Sequence, residues 1–132
     1  MTEPTPEEKE WNVLVVEDNP DHGWMLQKTI STGLPANVKV VRTAREAKAE
    51  IETEEYDVMV LDNRLPDGEG ARLVDEIRKS GYKGILLLVT AQASEEVLSV
   101  ALEAGATDYI LKSRGYQDRV LEEILERLGE TR

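Results

Sequence analysis

The chain has 132 residues, no cysteine and a formal net charge of −11 at pH 7. This length fits a single domain, the lack of cysteine excludes disulfide bonds and thiolate metal sites and favours a cytoplasmic protein, and the negative charge disfavours direct binding of nucleic acid. No apolar stretch is long enough to cross a bilayer and the first residues do not form a secretory signal, so we expect no membrane association and no secretion.

Strand and helix signals alternate along the chain after a polar start. Residues 1–10 are acidic and interrupted by proline, which predicts a flexible tail, and residues 11–129 are predicted to form the domain. Apolar runs that predict buried strands lie at 13–16, 58–61, 85–89 and 109–111, and a short run at 38–41, flanked by charge, predicts an edge strand. Five strands that alternate with five helices indicate βαβ units and a parallel sheet.

Capping residues and glycines mark the ends of the five predicted helices. The helices are expected to begin at Asn19-Pro20, Thr43, Glu69 or Gly70, Ser94, and about Tyr116. The expected ends are near Gly33 for the first, before Gly81 for the third, at Gly105 for the fourth and at Gly129, just after Leu128, for the fifth. Four-residue spacing of apolar positions predicts the buried stripe of the fifth helix, which is Val120, Ile124 and Leu128.

Four of the predicted strands stop at polar residues. The first stops at Glu17 and Asp18, the third at Asp62, the fourth at Thr90 and the fifth at Lys112. In open parallel α/β sheets, ligands bind in the crevice beyond the carboxyl ends of the strands. We therefore expect three carboxylates, one hydroxyl and one ammonium to meet at one edge of the sheet.

Asp62 can serve as a nucleophile toward phosphorus, because a carboxylate at the end of a buried strand can form an aspartyl phosphate. The alternative is that Asp62 only caps the next loop. The turn-forming segment LPDG at 65–68 favours the first interpretation, since the chain turns there instead of entering a helix and leaves Asp62 at the rim.

Glu17 and Asp18 would repel Asp62 strongly unless a cation neutralises the cluster. Carboxylate oxygens without histidine or cysteine favour a hard cation such as Mg²⁺, which keeps waters and binds phosphate. The alternative is two surface acids, one of which caps the first helix, but Asn19 already provides a suitable cap.

Lys112 and Thr90 carry groups that bind phosphate. An ammonium can pair with Asp62 and later with a phosphoryl oxygen, and a hydroxyl followed by the small residue Ala91 can donate to the same oxygen. The alternatives are a solvated lysine and a β-branched residue that closes a strand.

The segments VVEDNP (15–20), LDNRLPDG (61–68), VTA (89–91) and DYILK (108–112) resemble the receiver domain of two-component response regulators. The resemblance extends over about residues 11–128. It implies a flavodoxin-like (βα)₅ three-layer sandwich with a parallel sheet of strand order 2-1-3-4-5. It also implies a phospho-acceptor switch rather than a turnover enzyme, one that receives a phosphoryl group from a histidine kinase or a phosphotransfer protein.

The family implies a role for each acidic residue of the cluster. Asp62 would accept the phosphoryl group. Glu17, Asp18, Asp62 and the backbone carbonyl of Arg64 would hold Mg²⁺ or Mn²⁺, and self-phosphorylation and autodephosphorylation would depend on that ion.

The family also implies a conformational switch. Lys112 and Thr90 would contact the phosphate, and Thr90 would move toward it together with a change in the rotamer of Tyr109. This motion would reshape the surface built from the fourth helix, the fifth strand and the fifth helix, where an unknown downstream protein or a second copy of the chain would bind.

The chain departs from the family pattern at three positions. Ser113 follows Lys112 where the family usually has a proline in a cis peptide, so this bond is either trans or a costly cis bond, and the loop is expected to differ in shape. Arg64 and Gln92, each two residues past a site residue, are long polar side chains that we expect to tune the rate at which water removes the phosphate.

The sequence also predicts positions for two side chains of the first helix. His22, the only histidine, is expected to be a surface helix residue rather than a relay histidine or a ligand, and Trp24 is expected either near the rim or packed under the first helix.

One alternative function is a pseudo-receiver that docks partners without phosphorylation. The other is an aspartyl-phosphate phosphohydrolase, which is disfavoured because 17–19 lacks the Asp-x-Asp pattern of such enzymes.

Overall fold

The computed structural model describes residues 10–91 and 94–130, without the side chain of Glu130. Residues 1–9 of the predicted tail lie outside the described residues, and so does Gln92. The strands are β1 (Trp11–Val16), β2 (Ala36–Val41), β3 (Val58–Asp62), β4 (Arg64–Leu65), β5 (Gly68–Glu69), β6 (Ile85–Thr90) and β7 (Asp108–Leu111). The helices are α1 (Pro20–Gly33), α2 (Ala44–Thr53), α3 (Gly70–Lys79), α4 (Glu95–Ala104) and α5 (Tyr116–Glu130).

Five parallel strands form the central sheet in the order β2-β1-β3-β6-β7. This is the predicted order 2-1-3-4-5 once β4 and β5 are set aside, because those two strands form a separate antiparallel hairpin. The predicted edge position of the second strand is confirmed, although β2 begins two residues earlier than expected, at Ala36. The hairpin was not predicted, because two residues per strand are too few to show alternation.

The sheet is buried on both faces by two layers of helices. Alternate strand residues such as Val13 and Val60 face α1 and α5, whereas Leu14 and Met59 face α2, α3 and α4. Near-continuous apolar strands are the expected consequence of burial on both sides. The predicted stripe of α5 also lies in the core: its members are Val120, Ile124 and Leu128.

The helix ends follow the predicted caps with one exception. Asn19 Oδ1 accepts hydrogen bonds from two backbone N–H groups at the start of α1, and the hydroxyls of Thr43 and Ser94 each accept one at the start of α2 and α4. The prediction that Gly129 ends α5 is wrong, since the helix continues to Glu130. The physical reason is that Gly129 does not take the positive φ that a glycine stop uses.

Two negative findings hold within the described part of the chain. Every described peptide bond is trans, including the one between Lys112 and Ser113. No helix there combines the length and apolar character needed to cross a bilayer.

Candidate functional site

The polar residues at the strand ends lie at the carboxyl edge of the sheet. Glu17 and Asp18 follow β1, Asp62 is the last residue of β3, Thr90 is the last residue of β6 and Lys112 follows β7. Because β1, β3, β6 and β7 are parallel, their carboxyl ends open on the same side of the molecule.

The three acids form a tight cluster. One carboxylate oxygen from each of Glu17, Asp18 and Asp62 lies within 4.8 Å of the other two. Glu17 is only 2% exposed, and its second oxygen, Oε2, accepts a hydrogen bond of 3.2 Å from the backbone N–H of Asn19. An all-oxygen set of this kind fits a hard divalent cation such as Mg²⁺.

The ammonium of Lys112 bridges two of these acids. Its Nζ lies 2.6 Å from Glu17 Oε1 and 3.4 Å from Asp62 Oδ2, and the lysine side chain is 15% exposed. The backbone N–H of Lys112 donates to Thr90 O at 2.7 Å, which fixes the start of the loop after β7. Burial raises the pKa of Glu17 above its ordinary value; the Lys112 contact opposes this shift and the charge of Asp62 adds to it.

Thr90 and Tyr109 lie on neighbouring strands near the cluster. Thr90 is buried at the end of β6, one residue beyond Val89, which pairs with Asp62. Tyr109 is half-buried in β7 and packs against the core layer that contains α3 and α4. Thr90 thus lies next to the strand that carries Asp62, and Tyr109 belongs to β7, which pairs with β6.

The loop after Asp62 is held in place by contacts that sequence analysis did not find. Arg64 is exposed, and its backbone N–H lies 3.4 Å from Asp62 Oδ1. Asp67 accepts hydrogen bonds from the first two backbone N–H groups of α2 at 2.8 and 3.0 Å, and these bonds lower the pKa of its carboxyl. A Cβ on Gly70 would lie 2.5 Å from Asp62 O, so only glycine allows the start of α3 to approach the site this closely.

His22 and Tyr116 also border the cluster. His22 Nδ1 is buried and lies 3.6 Å from Glu17 Oε1, although 40% of the His22 side chain is exposed. The surface position predicted for His22 is therefore correct only for the outer part of the ring. Tyr116 packs edge to face against His22, with ring centroids 6.2 Å apart, and its own ring lies 5.8 Å from Lys112 Nζ.

Trp24 is a surface residue of α1, so the expectation that it packs under the first helix is wrong. Its side chain is 55% exposed, and Lys28 Nζ lies 4.8 Å from the centre of its ring.

Comparison with known proteins identifies the class to which this site belongs. Residues 13–125 match the family model of the response regulator receiver domain. The chain therefore belongs to the response regulator receiver domains, and its sheet has the flavodoxin-like strand order of that fold.

Relatives and solved structures agree with this assignment. The chain is 36% identical over 107 residues to a probable C4-dicarboxylate response regulator, DctR, of Bacillus subtilis, with 79% of this chain and 46% of the relative covered. It is 32% identical over 120 residues to the transcriptional regulatory protein CitB of Klebsiella pneumoniae, with 90% and 50% covered. The chain thus spans half or less of the length of these two relatives.

Two solved structures show the same fold. A CheY-like response regulator receiver domain from Methanospirillum hungatei superimposes with a TM-score of 0.85 at 30% identity, over 92% of this chain and 96% of that one. The BeF₃-activated N-terminal receiver domain of Klebsiella pneumoniae RstA gives 0.80 at 28% identity, over 89% and 97%.

Proposed function

We propose that this chain is a cytoplasmic signalling switch that accepts a phosphoryl group on Asp62 from the phosphohistidine of a histidine kinase or a phosphotransfer protein. The observation that carries the proposal is the bridge from Lys112 to both Glu17 and Asp62, within an acid cluster at the carboxyl edge of the sheet. A lysine and three acids from three strands meet here although they are distant in sequence.

Glu17, Asp18, Asp62 and the backbone carbonyl of Arg64 would hold Mg²⁺, or Mn²⁺ in its place. When bound, the ion would neutralise the carboxylates and the charge on the transferred group. Asp62 attacks phosphorus as the bond to the donor imidazole breaks. Lys112, already within 3.4 Å of Asp62, stabilises the negative charge on the phosphoryl oxygens.

The response to phosphorylation would pass through Thr90 and Tyr109. Thr90 would donate its hydroxyl to a phosphoryl oxygen, and the half-buried Tyr109 ring would take up the space that this motion opens. The elements α4, β7 and α5 carry exposed apolar side chains that a downstream protein or a second copy of the chain could cover. These are Val100, Leu102, Leu111 and Leu125.

Incubation with a small phosphodonor such as acetyl phosphate tests the acceptor directly. We expect Mg²⁺-dependent gain of one phosphoryl group by mass spectrometry in the wild type and none in Asp62→Asn. Asp75→Asn, which removes a partly exposed carboxylate on α3 that pairs with Lys79, is the matched control and should be phosphorylated normally. Failure of the wild type to gain phosphate from this donor and from a phosphorylated kinase would favour the pseudo-receiver.

Beryllofluoride with Mg²⁺ tests the switch without chemistry. The reagent should change the amide resonances around Thr90 and Tyr109 in the wild type, and an unchanged spectrum would contradict the proposed motion.

Arg64 and Gln92 are proposed to tune the lifetime of the phosphorylated form. Arg64 is exposed immediately after the acceptor strand, where a long side chain can shield the phosphate or position water. A dephosphorylation time course of Arg64→Ala and Gln92→Ala tests this, and unchanged rates in both variants would remove the idea.

A further inference from the structure

Four side chains at the edge of the site form a closed series of contacts. Glu17 Oε1 lies 2.6 Å from Lys112 Nζ, and this ammonium lies 5.8 Å from the centre of the Tyr116 ring. The Tyr116 ring packs edge to face against His22, and His22 Nδ1 returns to within 3.6 Å of Glu17 Oε1. We call this set of Glu17, Lys112, Tyr116 and His22 the lysine clamp.

Tyr116 is the buried anchor of the loop that carries Lys112. It is 5% exposed and belongs to the core layer between the sheet, α1 and α5. The loop leaves β7 at Lys112 and returns to the core at Tyr116, whose backbone N–H donates to Ser113 O at 3.1 Å. Ser113 stands where receiver domains usually have a proline, and its peptide bond is trans. The core packing of Tyr116 holds the far end of this loop in place.

The hydroxyl of Tyr116 is buried and has no hydrogen-bond partner. Burial raises the pKa of Tyr116, and the charges of Glu17 and Asp62 raise it further; the nearby Gln117 side chain opposes this in part. The phenol is therefore neutral at pH 7. A neutral phenol ring attracts an ammonium through its electron-rich face, and the attraction grows when the ammonium is shielded from water.

We propose that Tyr116 is a positioning residue that holds the Lys112 ammonium toward Glu17 and Asp62 through the face of its ring. The expected effect on the rate rests on the proposed phosphoryl transfer. The contact between the Tyr116 ring and the Lys112 ammonium does not depend on that proposal. The ring acts on the reaction only through Lys112. The proposal assigns no part of this contact to the hydroxyl, which is buried and makes no hydrogen bond to Lys112.

Two substitutions separate the ring from the hydroxyl. Tyr116→Phe keeps the ring, and Tyr116→Leu removes it while leaving an apolar side chain in the core. Tyr56→Leu is the matched control, because Tyr56 is a half-buried tyrosine that precedes β3. It therefore lies at the amino ends of the strands, on the side of the sheet opposite to the acid cluster. Folding of every variant is checked by circular dichroism before rates are compared.

The first readout is the NMR shift of the Lys112 side-chain methylene protons next to the ammonium. A ring held against them moves these resonances upfield. We expect an upfield shift in the wild type, in Tyr116→Phe and in the Tyr56→Leu control, and its loss in Tyr116→Leu. If these methylene protons of the wild type resonate where those of a solvated lysine do, the proposal is overturned. This result needs no variant, so it remains decisive even if Tyr116→Leu fails to fold.

The second readout is the initial rate of Mg²⁺-dependent phosphorylation by acetyl phosphate. We expect Tyr116→Leu to be slower by about threefold to tenfold, the range that a partly shielded cation–ring contact supplies, and Tyr116→Phe to stay within about twofold of the wild type. Equal losses in Phe and Leu variants would assign the effect to the hydroxyl, and a normal rate in Tyr116→Leu would show that the ring does not act; either result overturns the proposal. A wild type that takes up no phosphate would contradict the proposed function instead, while the NMR shift would still test the clamp.

Discussion

Repulsion within the acid cluster should make the metal-free protein less stable than its Asp62→Asn variant. Asp62 lies within 4.8 Å of two other carboxylates, and each pair at that distance repels by about 3.5 kcal/mol at an effective dielectric constant near 20. The attraction between Asp62 and Lys112 at 3.4 Å is worth about 5 kcal/mol on the same scale. Replacing the carboxylate by an amide of the same shape removes both repulsions and this attraction, which leaves a net gain of about 2 kcal/mol before screening.

Urea unfolding in buffer with a metal chelator measures this difference. We expect the free energy of unfolding of Asp62→Asn to exceed that of the wild type by about 1–2 kcal/mol, and the gap to shrink as Mg²⁺ is added, because the ion stabilises only the intact cluster appreciably. Asp75→Asn changes the net charge equally but lies away from the cluster, so it should show neither effect. The reasoning would be refuted if Asp62→Asn were less stable than the wild type in chelator. It would also be refuted if Mg²⁺ raised the free energy of unfolding of Asp62→Asn as much as that of the wild type.

Three further substitutions test other parts of the structure. Lys112→Met should lower the free energy of unfolding by about 2–3 kcal/mol, because it strips the buried Glu17 of its counter-charge, and urea unfolding with no loss would contradict this. Gly70→Ala should cost about 2 kcal/mol and slow phosphorylation, since its Cβ would collide with the backbone of Asp62; Gly129→Ala, which meets nothing within 4 Å, is the control and should be neutral or slightly stabilising. Burial raises the pKa of Glu123 above its ordinary 4.5, so the protonated form favours folding and this contribution is lost as the pH rises through the folded-state pKa. Glu123→Gln should therefore gain stability relative to the wild type between pH 4.5 and pH 7, and unfolding curves at the two pH values that show the opposite trend would refute this.

The strand ends were predictable because two strong rules apply to them together. A run such as 85–89 has the length and apolar composition typical of a strand buried on both faces, and parallel strands place their carboxyl ends at one edge. The positions of Asp62, Thr90 and Lys112 at that edge follow from these rules alone. The caps of α1 and α2 were predictable for a similar reason, since Asn19 and Thr43 act within their own turn of chain.

The positions of His22, Tyr116 and Asp67 were not predictable from pattern. His22 and Tyr116 begin different helices, and whether their rings meet depends on how α1 and α5 pack against each other. Asp67 caps α2 from a hairpin 23 residues away from Ala44, so no local capping motif contains it. The failed prediction at Gly129 has a local cause, because the glycine stop used for this prediction needs a positive φ, and the sequence does not state that angle.

The unequal contacts of Lys112 bear on how Asp62 can react. The ammonium is closer to Glu17, at 2.6 Å, than to Asp62, at 3.4 Å. In the proposed transfer, an ammonium bound tightly to Asp62 would engage the lone pairs that attack phosphorus, whereas one held by Glu17 would leave them accessible and stay within reach of the incoming oxygens. Besides serving as a proposed metal ligand, Glu17 is therefore placed to keep the Lys112 ammonium beside Asp62, and the proposed contact with the Tyr116 ring would hold the ammonium in that position.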